Sequence, residues 1–309
     1  MKYEYWFAGI RNIPDRTKIK LKEKAGTAEA IYYIEETALR KMQLLKEQEI
    51  WKLLEAKKKE ELDRNYEAMR QKGISVIPWG EKEYPGRLKE IYDPPYALYV
   101  KGKLPDNTAR AAAIVGARSC TPYGEKYALE YGKKLAECGI QVISGLARGV
   151  DGIGQRGALL GGGKTFAVLG SGVDVCYPKN HMGLYLDILE QEGGILSELP
   201  PGTPPLPQHF PRRNRIISAL SDIVLVMEAR ERSGSLITAD LALEQGKDVY
   251  ALPGPVNSSL SQGCNRLIFQ GAGILLSPEN LLDEMGIAYS GECQKPDKNE
   301  KMLESPEYM

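Results

Sequence analysis

Histidine is nearly missing from this chain: of 309 residues only His181 and His209 carry an imidazole. Nucleophilic catalysis of the Ser-His-Asp or Cys-His kind therefore has at most two possible bases. No Gly-x-Ser-x-Gly elbow is present either, because Gly170-Ser171-Gly172 lacks the spacing. Cysteine is scarce as well. The five cysteines, Cys120, Cys138, Cys176, Cys264 and Cys293, are scattered and odd in number. None has the close spacing of a metal site or redox motif, which suits small packing residues in a reducing compartment and implies no bound metal. Net charge is absent too, with 41 basic and 41 acidic residues. Attraction to a polyanion would have to come from local clustering of cations. No stretch reaches the roughly 18 apolar residues of a membrane span, and Met1 to Arg11 has an aromatic run without a signal-peptide core. Neither export nor membrane insertion is expected, and a cytoplasmic protein is.

With 42% hydrophobic residues, there is enough apolar material for one large core and a smaller accessory. Residues 1–72 read as successive helices, with Tyr5, Trp6, Ile10, Ala30, Ile31, Ile34, Leu44, Leu45, Ile50, Leu53 and Leu54 at three- and four-residue intervals. The mixed-sign run Lys57 to Glu61 suits a solvated helix face. Strand-like runs then appear at Ile74–Pro78 and Tyr96–Val100. Beyond Ala111, short β-branched runs alternate with helical stretches. Strands are expected at Ala112–Val115, Gln141–Ser144, Thr165–Leu169, Gly194–Ser197, Asp222–Met227, Asp248–Leu252 and Gly273–Leu276. Helices are expected at Gly124–Cys138, Val150–Leu160, His181–Gln191, Pro211–Leu220, Ser235–Gln245 and Gln262–Gln270. Alternation of this kind predicts an α/β fold, a Rossmann-like parallel sheet wrapped by helices, after a small all-α domain. The expected division is a helical domain over 1–72, the sheet domain over 73–290, and a polar, disordered tail over 291–309.

In such a sheet the turns after the strands gather along one edge, the usual ligand site. Here they are glycine-rich: Gly116-Ala-Arg118, Gly145-Leu-Ala-Arg148-Gly149, Gly170-Ser-Gly172 and Ser233-Gly234-Ser235, with Thr238 a turn further on. Glycine lets backbone approach an anion, and a helix N-terminus offers free N–H groups, so these turns are candidate phosphate holders. One glycine turn alone would be ordinary chain reversal; four, two of them with arginine, form a stronger pattern. Neither common nucleotide fingerprint fits. The run from Gly170 has Val175 where a third glycine belongs, and Cys176-Tyr177-Pro178 follows. The Lys164-Thr165 pair after Gly161 to Gly163 precedes a strand, whereas a phosphate loop must follow one. No cofactor is expected.

The densest basic cluster is Phe210-Pro-Arg212-Arg213-Asn214-Arg215. Pro211 suits a first helical turn; Arg212 and Arg215 share a face, and Arg213 is turned about 100° away. Arginine forks match phosphate oxygens, and Phe210 offers a ring to a base. The plainer alternative is a surface helix whose arginines pair with Glu228, Glu231 or Asp222. Lys179 is a further candidate cation. Asp151 and Glu198 lie at the edge, where orienting loop amides or pairing with arginines suits them better than acid/base chemistry.

Taken together, Ile114 to Ser119, Ile143 to Gly152, Ala167 to Asp174, Tyr177 to Asn180, Ser197 to Pro200, Phe210 to Ile217, Ser233 to Thr238 and Leu252 to Gly254 closely resemble the DNA-processing protein A (DprA/Smf) family, over about Tyr84 to Leu282. The resemblance implies single-stranded DNA binding by the Rossmann-like core, homodimerisation, and loading of the RecA recombinase onto incoming DNA in natural transformation, without catalysis. It implies a sterile-alpha-motif-like character for the N-terminal helices. It also implies DNA contacts for Arg118, Lys179, Arg213, Asn214 and Arg215. Pro207 departs from the pattern, since many members carry a basic residue there, and no winged-helix module is expected after the core. The rival reading is a nucleotide phosphoribohydrolase-like enzyme, whose Pro-Gly-Gly-x-Gly-Thr turn is absent. A pure protein-interaction scaffold would leave the arginines unexplained.

Overall fold

The structure is a computed structural model and describes residues 1–57 and 59–287. The tail expected to be disordered, 291–309, lies outside the described residues, as does Cys293. Helices α1 (Lys2–Gly9), α2 (Asp15–Ala25), α3 (Ala28–Tyr33), α4 (Glu36–Met42), α5 (Glu47–Glu55) and α6 (Lys59–Gln71) precede any strand. There follow β1 (Ile74–Pro78), α7 (Gly86–Lys89), β2 (Ala97–Gly102), β3 (Ala111–Val115), α8 (Pro122–Glu137), β4 (Gln141–Ser144), α9 (Val150–Leu160) and β5 (Thr165–Val168). A 3-10 turn at Lys179–His181 leads into α10 (Met182–Glu190), and then come β6 (Gly194–Ser197), α11 (His209–Ala219), β7 (Ile223–Val226) and α12 (Gly234–Glu244). β8 (Asp248–Ala251), α13 (Gln262–Phe269), β9 (Gly273–Ile274) and α14 (Pro278–Glu284) complete the described chain.

The strands form one sheet in the order β1-β2-β6-β5-β4-β3-β7-β8-β9. All pairings from β6 across to β9 are parallel. Their residues read as short continuous apolar runs because helices cover both faces; every residue of β3, β4, β5, β6 and β7 is buried. The sheet is mixed, not purely parallel: β2 joins β6 antiparallel with Tyr99 opposite Ser197, and β1 joins β2 antiparallel. Strand order reverses at β3, which has β4 on one side and β7 on the other. That reversal opens a crevice beyond the strand C-termini, where the two halves of the chain diverge.

The N-terminal helices share a core with one end of this sheet. Phe7 meets Tyr96 edge-on at 5.0 Å, and Tyr5 meets Tyr99 at 6.2 Å. Alternate residues of β2 divide between the faces: Ala97 and Tyr99 pack with the helices, Leu98 and Val100 with the layer beneath.

Candidate nucleic-acid interface

A cavity of about 440 Å³ lies at the strand-order reversal. Most of its lining comes from the end of β3 with the following loop, the first turns of α11 and the N-terminus of α12; Ala147 and Asp151, Tyr177, and Pro205 with Pro207 complete it. The first segment brings Val115, Gly116 and Arg118. Buried Glu228 fixes that loop, accepting from the Thr121 N–H at 2.8 Å and its hydroxyl at 2.6 Å.

Helix α11 begins at His209, two residues ahead of the expected start, so Phe210 belongs to its first turn and Pro211 still lacks no needed donor. From its buried face Arg213 turns under the rim. Nη1 donates to the Gly145 carbonyl at 2.9 Å and to that of Val168, and Nε donates to Asn214 Oδ1 at 3.3 Å. Among the described residues no carboxylate comes within ion-pair reach of this guanidinium, and Nη2 has no hydrogen-bond partner. Burial pushes its pKa down to about 10, against the pull of Asp151 and with a push from Arg118. It stays a cation at neutral pH, and it lines the cavity. Asp151 answers from α9: it accepts the Gly145 N–H at 3.1 Å, and its carboxyl is raised by burial more than Arg213 and that N–H lower it.

Above Arg213 stands a stack of side chains. Exposed Arg118 holds its guanidinium 5.4 Å from the Phe210 ring, and that ring sits 5.5 Å from Tyr177 at 39°. An unpaired base has an aromatic surface and a cation within reach of each other here. Opposite, Ser233 caps α12, its hydroxyl accepting from Ser235 N–H at 3.3 Å and lying 2.7 Å from Ser235 Oγ. Asn214 Nδ2 steadies the turn by donating to the Gly234 carbonyl at 3.2 Å. Ser235 and Thr238 line the cavity, so the positive end of an 11-residue helix dipole faces it.

The structure thus gathers Gly116, Arg118, Phe210, Arg213, Asn214, Ser233, Gly234, Ser235 and Thr238 around one space. The other candidates go elsewhere. Gly145, Gly170 and Gly172 form a floor beneath side chains and loops. A Cβ on Gly145 would come 2.5 Å from Arg213 Nη2, one on Gly170 would come 2.9 Å from the Phe210 ring, and one on Gly172 would come 2.8 Å from the Gly202 nitrogen. Arg148 and Lys179 are exposed and do not line the cavity. Arg212 and Arg215 do share a face of α11, but it is the face away from the cavity. Both meet Glu198, at 3.2 and 2.6 Å, with Asp15 at 3.2 Å from Arg212 and Asp93 at 3.4 Å from Arg215. The helical period that brings Arg213 under the rim turns these two away from it. The carboxylates weighed as their partners are engaged differently: Glu228 holds Thr121, Asp222 pairs with Arg87 at 3.0 Å and Glu231 with Arg266 at 3.7 Å. Glu198 and Asp151 take the pairing and amide-orienting parts expected of them.

Sequence reasoning missed Tyr177 as a cavity wall. The available signal was an aromatic residue soon after a post-strand glycine turn, directly before Pro178 and Lys179. Of the two histidines, His209 does not line the cavity, and His181 Nδ1 lies 3.1 Å from the Leu146 carbonyl. Leu146 itself holds a left-handed φ of 55° and donates its N–H to Gln155 at 3.2 Å. The 145–149 loop is therefore secured by four buried or half-buried side chains: Asp151, Gln155, His181 and Arg213. Among the described residues no helix is long and apolar enough to cross a membrane, and no cluster of three metal-ligating side chains occurs.

Comparison with known proteins adds to this geometry. The sequence model for DNA recombination-mediator protein A matches residues 75–286. Protein Smf of Escherichia coli is 43% identical over 239 residues, which are 77% of this chain and 63% of that protein, so the chain spans less than two thirds of that relative. DNA processing protein DprA of Bacillus subtilis is 41% identical over 225 residues, 72% of this chain and 75% of the other. Among solved structures, DNA processing protein A of Streptococcus pneumoniae superposes with a TM-score of 0.79 at 32% identity, covering 94% of this chain and 99% of its own. A DNA processing protein A from Helicobacter pylori, solved to explain its single-stranded DNA binding mode, superposes with a TM-score of 0.61 at 32% identity, covering 69% of this chain and 95% of its own.

Proposed function

This chain belongs to the DNA recombination-mediator protein A family, and on that footing we propose that its rim cavity grips a single DNA strand by phosphate and by base. The observation that carries this reading is Arg213: a buried cation with no carboxylate of the described residues in ion-pair reach, beside an exposed arginine and two aromatic rings in the same cavity. A buried unpaired charge is costly, and a phosphate between Arg213, Arg118 and the α12 N-terminus would relieve that cost. Phe210 and Tyr177 would take an unstacked base, which favours single strand over duplex, and Lys179 and Arg148 would extend the cationic track along the rim. Most contacts fall on backbone and ring faces, so binding is sequence-tolerant and salt-sensitive.

The wider role is that of the family: a cytoplasmic homodimer that covers incoming single strands and delivers them to the RecA recombinase during natural transformation and related DNA processing. The activity is binding without covalent chemistry. Asp151 is the carboxylate lining the cavity, and it is committed to the Gly145 N–H.

Fluorescence anisotropy with labelled oligonucleotides tests the proposal. Oligo(dT) is expected to bind far more tightly than a blunt duplex of equal length, and equal affinities would refute a single-strand grip. Incubation with nucleoside monophosphates is expected to release no free base; release would reassign the cavity to a phosphoribohydrolase.

A further inference from the structure

Three polar contacts run from the N-terminal helices to the rim, and each ends on a segment that delivers a cavity residue. Lys72, just past α6, donates to Asp174 Oδ2 at 2.8 Å. Arg11, between α1 and α2, donates to Thr203 Oγ1 at 2.5 Å. Asp15, the first residue of α2, accepts from Arg212 Nη2 at 3.2 Å. Asp174 lies three residues before Tyr177 in the loop after β5. Thr203 lies in the loop after β6 that brings Pro205 and Pro207 to the cavity, and Arg212 is two residues beyond Phe210.

The two loops also hold each other. Gly172 donates its N–H to the Thr203 carbonyl at 2.9 Å, and Gly202 donates to Asp174 Oδ1 at 2.6 Å. Asp174 is thus the shared post, with one oxygen on each loop's or helix's donor. Burial would push its carboxyl up, but the hydrogen bonds from Lys72 and Gly202 outweigh burial and hold it below its ordinary value. Freed of Lys72, the paired loops would keep their mutual bonds and the Arg11 contact to Thr203 but lose the anchor that holds Asp174 to the helical layer.

We infer that the helical layer positions the nucleic-acid cavity: Lys72, Arg11 and Asp15 act as positioning residues that hold the loops and helix carrying Tyr177 and Phe210 at stacking distance. The inference rests on the strand-binding reading of the cavity. Coupling of this kind is reciprocal, so a strand seated on Phe210 tightens the helical contacts, and a partner that pulled the helices away would loosen the grip on DNA.

The test uses the full chain with Lys72→Met, Lys72→Arg and Asp174→Asn. Lys72 keeps 57% of its side chain exposed, so its neutralisation should leave the fold intact, which thermal melting verifies. Oligo(dT) affinity is expected to fall roughly fivefold in Lys72→Met and in Asp174→Asn, the low end of typical site-to-site coupling. The double variant is expected to add little to either single one, and Lys72→Arg to restore binding. The dependence of affinity on salt should keep its wild-type slope, because no phosphate contact is lost; a direct contact would lower the slope by about 1. Wild-type affinity in Lys72→Met, or a lowered slope, overturns the inference. Phe210→Ala separates the two levels. If it binds DNA as wild type does, the cavity reading itself fails; if it weakens binding while Lys72→Met does not, the positioning role alone fails.

Discussion

The guanidinium of Arg213 rests on Gly145: Nη1 donates to the Gly145 carbonyl at 2.9 Å, and a Cβ at that position would stand 2.5 Å from Nη2. A glycine that reads in sequence as a phosphate cradle therefore has a second employment, as the only residue that leaves room for the buried cation. The N–H of the same glycine goes to Asp151, so one residue sets the spacing between an arginine and an aspartate that never form an ion pair.

Gly145→Ala should accordingly displace the Arg213 fork without touching any solvent-facing group. Loss of its carbonyl bonds is expected to lower stability by about 1–3 kcal/mol, read by denaturant unfolding. Oligonucleotide affinity should fall along with it, because the displaced cation no longer faces the cavity.

Phe210→Ala removes the ring between Arg118 and Tyr177. Affinity for single strands is expected to drop by about 1–3 kcal/mol, the value of one stacked base, at every salt concentration alike. Phe210→Trp keeps a π-face and should bind within a few-fold of wild type.

Arg215→Met offers the contrast. The Glu198 side chain, only 5% exposed, would keep Arg212 as its one ion-pair partner among the described residues, and stability should fall by about 3 kcal/mol or more in equilibrium unfolding. Oligonucleotide affinity per folded molecule should hardly change, since Arg215 faces Glu198 and Asp93 and not the cavity.

Acid should act on the 145–149 loop through His181. Burial lowers its pKa from 6.5; the Leu146 hydrogen bond opposes that, and Arg148 and Arg156 add to it. The unfolded chain then binds the proton more readily than the folded one. Stability from the neutral ring is complete above about pH 6.5 and declines as pH falls from there toward the lower folded-state value. Measured between pH 7.5 and 5.5, wild type should lose more stability than His181→Gln, and an equal loss would remove His181 from the effect. Comparing the two proteins cancels the carboxyl groups that titrate in both.

Much of this was legible from local pattern. β4, β6 and α9 fall on the expected residues, because short buried runs between glycine turns and an amphipathic 11-residue stretch leave few alternatives. The helical period of α11 correctly separated Arg213 from Arg212 and Arg215. What the pattern could not convey was the partner of each face. Asp15 lies 197 residues from Arg212, and Asp93 lies 122 from Arg215, so only the assembled fold reveals which arginines are satisfied. β2 shows the same limit: its residues read as a strand, but its antiparallel place beside β6 depends on Tyr99 meeting Ser197 across the fold. The brief α14, opened by Ser277 and Pro278, is too short for a hydrophobic period to stand out.

Arg118 offers the most direct trial of a cation and aromatic rim that grips a phosphate chain. Wild type and Arg118→Ala would be titrated with labelled oligo(dT) and a mixed-sequence strand across a range of salt concentrations. The expected result is weaker binding to both strands and a log affinity against log salt slope smaller by about 1. Wild-type affinity with an unchanged slope would contradict a phosphate grip at this rim.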